Sequence, residues 1–232
     1  IAATGSENPE YRRLNAEFFA HDFDKLHASK IVVINGDNTK DPKLAEMIKN
    51  PDTALVFFTG GDQDAHYQFW KDTQCLKALK ERFTHDPDFL ISGNSAGTAV
   101  MSETMITSDG SGQNYKEHYD KPGLGLTKLT LDTHCDRPYP ARLTPHDEPR
   151  NDRRLQQAGR PGIALAEGVG AIIHGNKIEI IYPQGRSIGQ LQRAPSYVFP
   201  AKNENPVMCN TSKKFTFDGN RISSVQNVGI AQ

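Results

Sequence analysis

The chain has 232 residues, which suits a single domain spanning 1–232 with a well-formed core. Its 27 Lys+Arg against 28 Asp+Glu leave a net charge of -1 and a pI near 6.8, so no global field argues for a nucleic acid or membrane partner. Mean hydropathy is -0.61, and no apolar run approaches the roughly 18 residues of a membrane-spanning helix. Cys75, Cys135 and Cys209 lie far apart without a C-x-x-C spacing, so they form neither a metal cluster nor a disulfide framework, although one pair could bridge.

The chain opens on Ile1-Ala2-Ala3-Thr4-Gly5, read as the tail of a strand running into a loop, with an upstream segment omitted or removed by processing. Residues 8–23 carry Tyr11, Leu14, Phe18, Phe19 and Phe23 at roughly helical spacing. Residues 30–35 are a buried-type strand, 41–49 a short helix, and 53–58 a second buried strand ending in a glycine loop over 59–63. One helix is expected over 64–83, with Tyr67, Trp70, Leu76, Leu79 and Phe83 as its core stripe. A strand at 89–91 runs into Gly93-Asn94-Ser95-Ala96-Gly97, and the small residues of 98–101 open a helix. Beyond it, 109–123 reads as a polar surface loop and 124–131 as a strand ending at Asp132-Thr133-His134. Four prolines make 135–149 irregular, and 150–157 can be helical. A strand and turn follow at 163–168, then a hairpin of 170–175 with 177–182, and short strands at 196–199 and 213–217. Strands alternating with helices predict a doubly wound, mostly parallel α/β sheet flanked by helices, with a β-hairpin region towards the C-terminus. In such sheets ligands bind beyond the carboxyl ends of the strands, which puts the loops 59–63 and 93–97 on one edge.

Residues 93–97 match G-x-S-x-G in the context that pattern requires, a strand, a tight turn and a helix. A nucleophile on a sharp turn needs neighbours without bulk, which Gly93, Ala96 and Gly97 supply. The helix N-terminus behind Ser95 offers N–H groups and a positive dipole end to an oxyanion. The Ala96 N–H is one donor, and the backbone of Gly60-Gly61-Asp62 can supply another. Of eight histidines, His21, His27, His66 and His85 fall in helices or at their ends and read as solvated or locally bonded imidazoles. His118 sits in the polar loop, His146 in the proline-rich stretch and His174 in the hairpin. His134 is the best candidate base, because it ends a strand expected on the same sheet edge as Ser95. For the orienting acid, Glu167 at a strand end competes with Asp132 and Asp109.

The segments 57–63, with Thr59-Gly60-Gly61-Asp62-Gln63, and 93–103, with Ser95-Ala96-Gly97, resemble the cyanophycinase and peptidase E family of serine peptidases. Leu124-Gly125-Leu126 with Asp132-Thr133-His134 resembles that family's histidine motif, and 162–168 its acid motif. The resemblance implies a fold similar to class I glutamine amidotransferases, with serine in place of cysteine. It implies Ser95 as nucleophile, His134 as base and Glu167 as orienting acid, with oxyanion donors at Gly61 or Asp62 and Ala96. It also implies substrate contacts from Gln63, Asp132, Thr133, Arg137, Arg150 and Arg153, no metal or cofactor, and a homodimer. Two departures stand out. Thr133 replaces a glutamine common in cyanophycinases, and a proline-rich insertion separates Arg137 and Arg142 from Arg150, Arg153 and Arg154.

Six arginines lie between Arg137 and Arg160 in a near-neutral protein. They form either a solvated loop and helix face or a carboxylate-recognising edge, since guanidinium binds carboxylate bidentately. The second suits a peptide substrate with a free aspartyl carboxylate, β-linked or isoaspartyl. Competing expectations are an α/β-hydrolase esterase using Ser95, Asp132 and His174, and a non-catalytic binding module on the same fold.

Overall fold

The structure is a computed structural model describing residues 2–5, 8–25, 32–34, 36, 38–109, 116–137, 152–182 and 194–225. The chain forms two compact units, Ile1–Thr107 with Lys121–Thr127, and Ser108–Asp120 with Lys128–Gln232. Among the described residues no helix is long and apolar enough to cross a membrane.

The first unit runs β1 (Ala2–Gly5), α1 (Pro9–Lys25), β2 (Val33–Ile34), α2 (Pro42–Lys49) and β3 (Leu55–Gly61). It continues through α3 (Gln63–Trp70), α4 (Gln74–His85), β4 (Leu90–Gly93) and α5 (Ala96–Ala99). The strands form a wholly parallel sheet in the order β2-β1-β3-β4. Ile34, Ile48, Val56, Phe58, Trp70, Leu79, Val100 and Met105 build its core. Each such buried side chain contributes about 1.5–3 kcal/mol of transfer free energy. Phe58 meets Trp70 with ring centroids 5.0 Å apart, tying β3 to α3.

Three expectations change here. The single helix over 64–83 is two helices. Asp72 takes a positive φ of 60°, and the Thr73 hydroxyl both donates to the Trp70 carbonyl at 2.7 Å and accepts the Leu76 N–H at 3.1 Å. That cap starts α4 afresh, while the apolar spacing carries on across the break and conceals it. The glycine loop after 58 is strand instead. Thr59-Gly60-Gly61 continue β3, with Gly61 in register with Gly5. The apolar segment at 124–131 is not strand before Thr130. Leu124, Gly125 and Leu126 donate their N–H groups to Val100, Ser102 and Met101 at 2.7, 3.0 and 2.9 Å. Tertiary hydrogen bonds thus take the backbone that a ladder would have used.

The stretch 109–123 is not all loop either. β5 (Thr104–Asp109) and β6 (Lys116–Pro122) pair in a two-stranded sheet. Residues 110–115 and 138–150 lie outside the described part, as do Arg142, His146 and Arg150.

The second unit contains β7 (Thr130–Thr133), α6 (Arg153–Ala158), β8 (Gly162–Leu165), β9 (Gly170–His174) and β10 (Lys177–Ile181). It ends with β11 (Ser196–Phe199), β12 (Val207–Cys209), β13 (Lys213–Phe217) and β14 (Ile222–Ser224). One sheet has the order β12-β11-β8-β7, in which only β7 and β8 are parallel. The other, β14-β13-β10-β9, is antiparallel throughout, and β9 and β10 pair around a turn where Gly175 has φ 58°. The architecture is mixed α/β, and among the described residues the strands do not join in one doubly wound parallel sheet. The described strands divide among four small sheets, two of them with antiparallel pairs.

Arg154 on α6 lies almost wholly buried between two carboxylates. Its Nε is 2.9 Å from Glu117 of β6 and its Nη1 donates to Asp132 of β7 at 2.7 Å. Removing one partner of a buried ion pair leaves an uncompensated charge, at a cost of about 3–5 kcal/mol. Arg154→Leu is therefore expected to lower unfolding free energy by roughly that amount in urea titrations. A loss under about 1 kcal/mol would mean that the network is relaxed by water.

Candidate active site

β4 ends at Gly93, and the Asn94 N–H donates to the Phe58 carbonyl at 3.1 Å, which pins the turn to β3. Ser95 follows with φ 51° and ψ -123°. A non-glycine residue in such a region costs about 1–3 kcal/mol and persists only where its surroundings hold it. Here Gly97 N–H donates to Asn94 O, Thr98 N–H to Ser95 O, both at 2.9 Å, and the Thr98 hydroxyl to Gly93 O at 2.8 Å. A Cβ on Gly97 would lie 2.1 Å from the Phe58 carbonyl oxygen, and one on Gly93 2.7 Å from the Gly97 carbonyl. Both glycines are thus required by contact. A Cβ on Gly60 would come within 3.3 Å of Ser95 Cβ, so the β3 backbone passes directly against the serine.

The donors expected for an oxyanion lie in this unit. Ala96 is the first residue of α5, where an N–H has no intrahelical acceptor. α5 is only four residues long, so any help comes from local N–H groups and little from a helix dipole. Gly61 is exposed at the end of β3 with φ 133°. The Asp62 carboxylate caps α3, accepting from Asp64 and Ala65 N–H at 2.7 and 3.1 Å. The Gln63 amide donates to the Ile106 carbonyl at 3.0 Å. The expected common edge for the loops near 61 and 93 holds, since β3 and β4 are adjacent and parallel.

In the second unit the parallel pairing of β7 and β8 sets Thr133 beside Leu165, and Cys135 N–H donates to Leu165 O at 3.2 Å. That register brings together the residues just past both strand ends. His134, at φ 59°, bonds through its Nδ1 to Glu167 Oε1. The Glu167 N–H donates to Asp136 Oδ1 at 3.0 Å, and Gly168 turns the chain at φ 73°. Arg137 Nη2 lies 2.7 Å from the same Glu167 oxygen. The His134 and Glu167 side chains are 28% and 31% exposed.

The other expected residues fall differently. β7 and β4 belong to different sheets, against the expectation of a shared edge for His134 and Ser95. Asp132 is buried on Arg154, and Asp109 bonds His118 at 2.9 Å, so the carboxylate that meets His134 is Glu167. Thr133 is half-buried at the end of β7, Arg153 is exposed on α6, and His174 is exposed at the end of β9. Sequence reasoning overlooked Asp136, and it gave Arg154 and His66 no specific structural role. His66 is not solvated. Its ring is fully buried and its pKa falls to about 4, because burial penalises the imidazolium more than the Thr59 carbonyl and the Asp62 charge favour it.

That shift makes stability depend on pH. The unfolded chain takes up the proton near 6.5 and the folded chain only near 4. Stability present above about pH 6.5 is lost as pH falls towards 4, by up to about 3 kcal/mol. Urea unfolding from pH 7 to 4.5 should show this slope in the wild type and a flatter one in His66→Gln; parallel curves would refute it.

The first unit thus holds a serine on a strand–turn–helix elbow, and the second unit an imidazole–carboxylate pair. Residues 5–181 match Peptidase family S51, and the chain belongs to that family. The matched stretch contains Ser95, His134 and Glu167, and it bears out the resemblance to peptidase E and cyanophycinase. Among solved structures the chain is similar to a peptidase from an acI-B1 Actinobacterium, with a TM-score of 0.63 at 14% identity. The alignment covers 94% of this chain and 83% of that one, a likeness of fold. Comparison with curated proteins finds no match.

Proposed function

We propose that this protein is a serine peptidase hydrolysing β-aspartyl (isoaspartyl) or cyanophycin-like peptide bonds through Ser95, His134 and Glu167. The observation that carries the reading is Ser95 itself, held at positive φ in a turn stripped of side-chain bulk by Gly93 and Gly97. His134 Nε2 removes the Ser95 hydroxyl proton as Oγ attacks the substrate carbonyl. The N–H groups of Ala96 and of Gly61 or Asp62 stabilise the oxyanion. The imidazolium, stabilised by Glu167, gives its proton to the leaving amine as the C–N bond breaks. A water then loses a proton to His134 and attacks the acyl ester, and the proton returns to Ser95 as the acid departs. Gln63, Thr133, Arg137, Arg150 and Arg153 bind substrate, the arginines through its free carboxylate. Asp132 is left out of this set, because its ion pair with Arg154 already occupies it.

Incubation with a β-Asp-Arg polymer, an isoaspartyl dipeptide and an ordinary peptide, with product identification, tests substrate class. Cleavage of the ordinary peptide alone would sink the carboxylate argument. A fluorophosphonate probe mapped by mass spectrometry tests the chemistry, and folded protein that is not labelled at Ser95 would favour a binding module instead.

A further inference from the structure

His66 has no part in the proposed reaction, yet its environment is built with care. The side chain is completely buried on α3, one turn past the Asp62 cap, and its own N–H donates to the Asp62 carbonyl at 3.0 Å. The ring stands edge-on to Phe58, with centroids 5.8 Å apart at 73°. Nε2 lies 2.8 Å from the Thr59 carbonyl oxygen. A carbonyl only accepts, so the proton sits on Nε2. Nδ1 then carries a lone pair, and among the described residues it is buried without a hydrogen-bond partner. Such an orphan costs about 1–3 kcal/mol, so filling space alone would favour an apolar residue here.

The Thr59 carbonyl explains the imidazole. A Cβ on Gly97 would lie 2.6 Å from that oxygen, so the elbow packs onto the same peptide group that His66 holds. The next residue, Gly60, is the one pressed against Ser95. The Thr59 hydroxyl donates to the Gly60 carbonyl at 3.1 Å, and this pair too is buried. Gly60 and Gly61 have no side chains to anchor them and the widest backbone freedom of any residue. A directional bond to the preceding carbonyl removes that freedom where the N–H groups must be aimed.

We propose that His66 is a positioning residue for oxyanion stabilisation, its Nε2–H holding the Thr59 carbonyl and so setting the Gly60-Gly61 backbone beside Ser95. This rests on the reading of Ser95 as nucleophile and of the strand end as oxyanion donor. The ring stays neutral throughout the pH range in which a histidine base works, so the bond persists while the enzyme turns over.

His66→Gln, His66→Asn and His66→Phe in the full chain test it. A glutamine amide reaches the place of Nε2, an asparagine amide falls short, and phenylalanine fills the volume without a donor. The readouts are kcat per fluorophosphonate-titrated Ser95, KM, and amide hydrogen exchange of residues 59–61. His66→Gln should stay within about threefold of wild type, while His66→Asn and His66→Phe lose roughly 10–100-fold in kcat per titrated site with KM little changed. Exchange at 59–61 should speed up in those two variants only. A space-filling role predicts the opposite order, with phenylalanine closest to wild type, and that order or equal kcat per site across the three overturns the proposal. If His66→Phe does not fold, the glutamine–asparagine contrast decides. A wild type unlabelled at Ser95 overturns the peptidase reading instead, and the exchange order then decides whether His66 holds this strand.

Discussion

Ser95→Ala is expected to lower kcat/KM by roughly 10⁴–10⁶-fold and to leave the fold intact. On the proposed mechanism the loss is large because Ser95 forms the acyl ester, and the residual rate would come from binding and the oxyanion donors. The fold should survive because the contacts that shape the turn come from backbone atoms of 93–98 and from the Thr98 hydroxyl. Alanine keeps the unfavourable φ of 51°, so its stability should equal that of the wild type. Ser95→Gly relieves that backbone and should gain about 1 kcal/mol. Urea unfolding of the three proteins beside turnover measurements checks both halves. A Ser95→Ala protein that retains a tenth of wild-type activity would remove Ser95 from the chemistry.

His134→Ala is expected to cost about 10³–10⁶-fold in kcat, and Glu167→Gln about 10²–10⁴-fold. The glutamine change is gentler because the amide keeps the volume and one acceptor oxygen. It loses the charge that stabilises imidazolium, and its amide can present a donor where His134 Nδ1–H needs an acceptor. Arg137 and Asp136 would still hold the side chain and its N–H in place, so misfolding should not confuse the result. His174→Ala, at an exposed strand end, should stay within about twofold of wild type. If His174→Ala carried the large loss and His134→Ala did not, the order of an α/β-hydrolase would be restored and Glu167 would lose its role.

What was legible in the chain follows the range of the forces involved. The turn at Ser95 could be read because it is a local steric problem: Gly93, Ala96 and Gly97 are adjacent residues chosen by contacts within one turn. β2, β3 and β4 were legible as short apolar runs, the signature of strands in a parallel sheet. The break between α3 and α4 was not, because the apolar stripe Tyr67, Trp70, Leu76, Leu79 and Phe83 runs across it while the cap that interrupts it rests on one hydroxyl, that of Thr73. The strand character of Thr59-Gly60-Gly61 was hidden for a similar reason. Glycine disfavours strands locally, and only pairing with Gly5 and the closeness of Ser95 call for it.

The sequence by itself determined the tight turn at Ser95, the glycine-rich segment 59–63 on the same sheet edge and the family to which the chain belongs, all carried by neighbouring residues. Only the tertiary structure decided which of Glu167, Asp132 and Asp109 meets His134. Their separations from His134 along the chain say nothing about reach. The parallel register of β7 and β8 brings Glu167 to the imidazole, while burial gives Asp132 to Arg154 and a separate pair gives Asp109 to His118. It also chose, for His66, the locally bonded imidazole over the solvated one and buried it, because desolvation depends on what the fold packs around a side chain, and no window of sequence contains that.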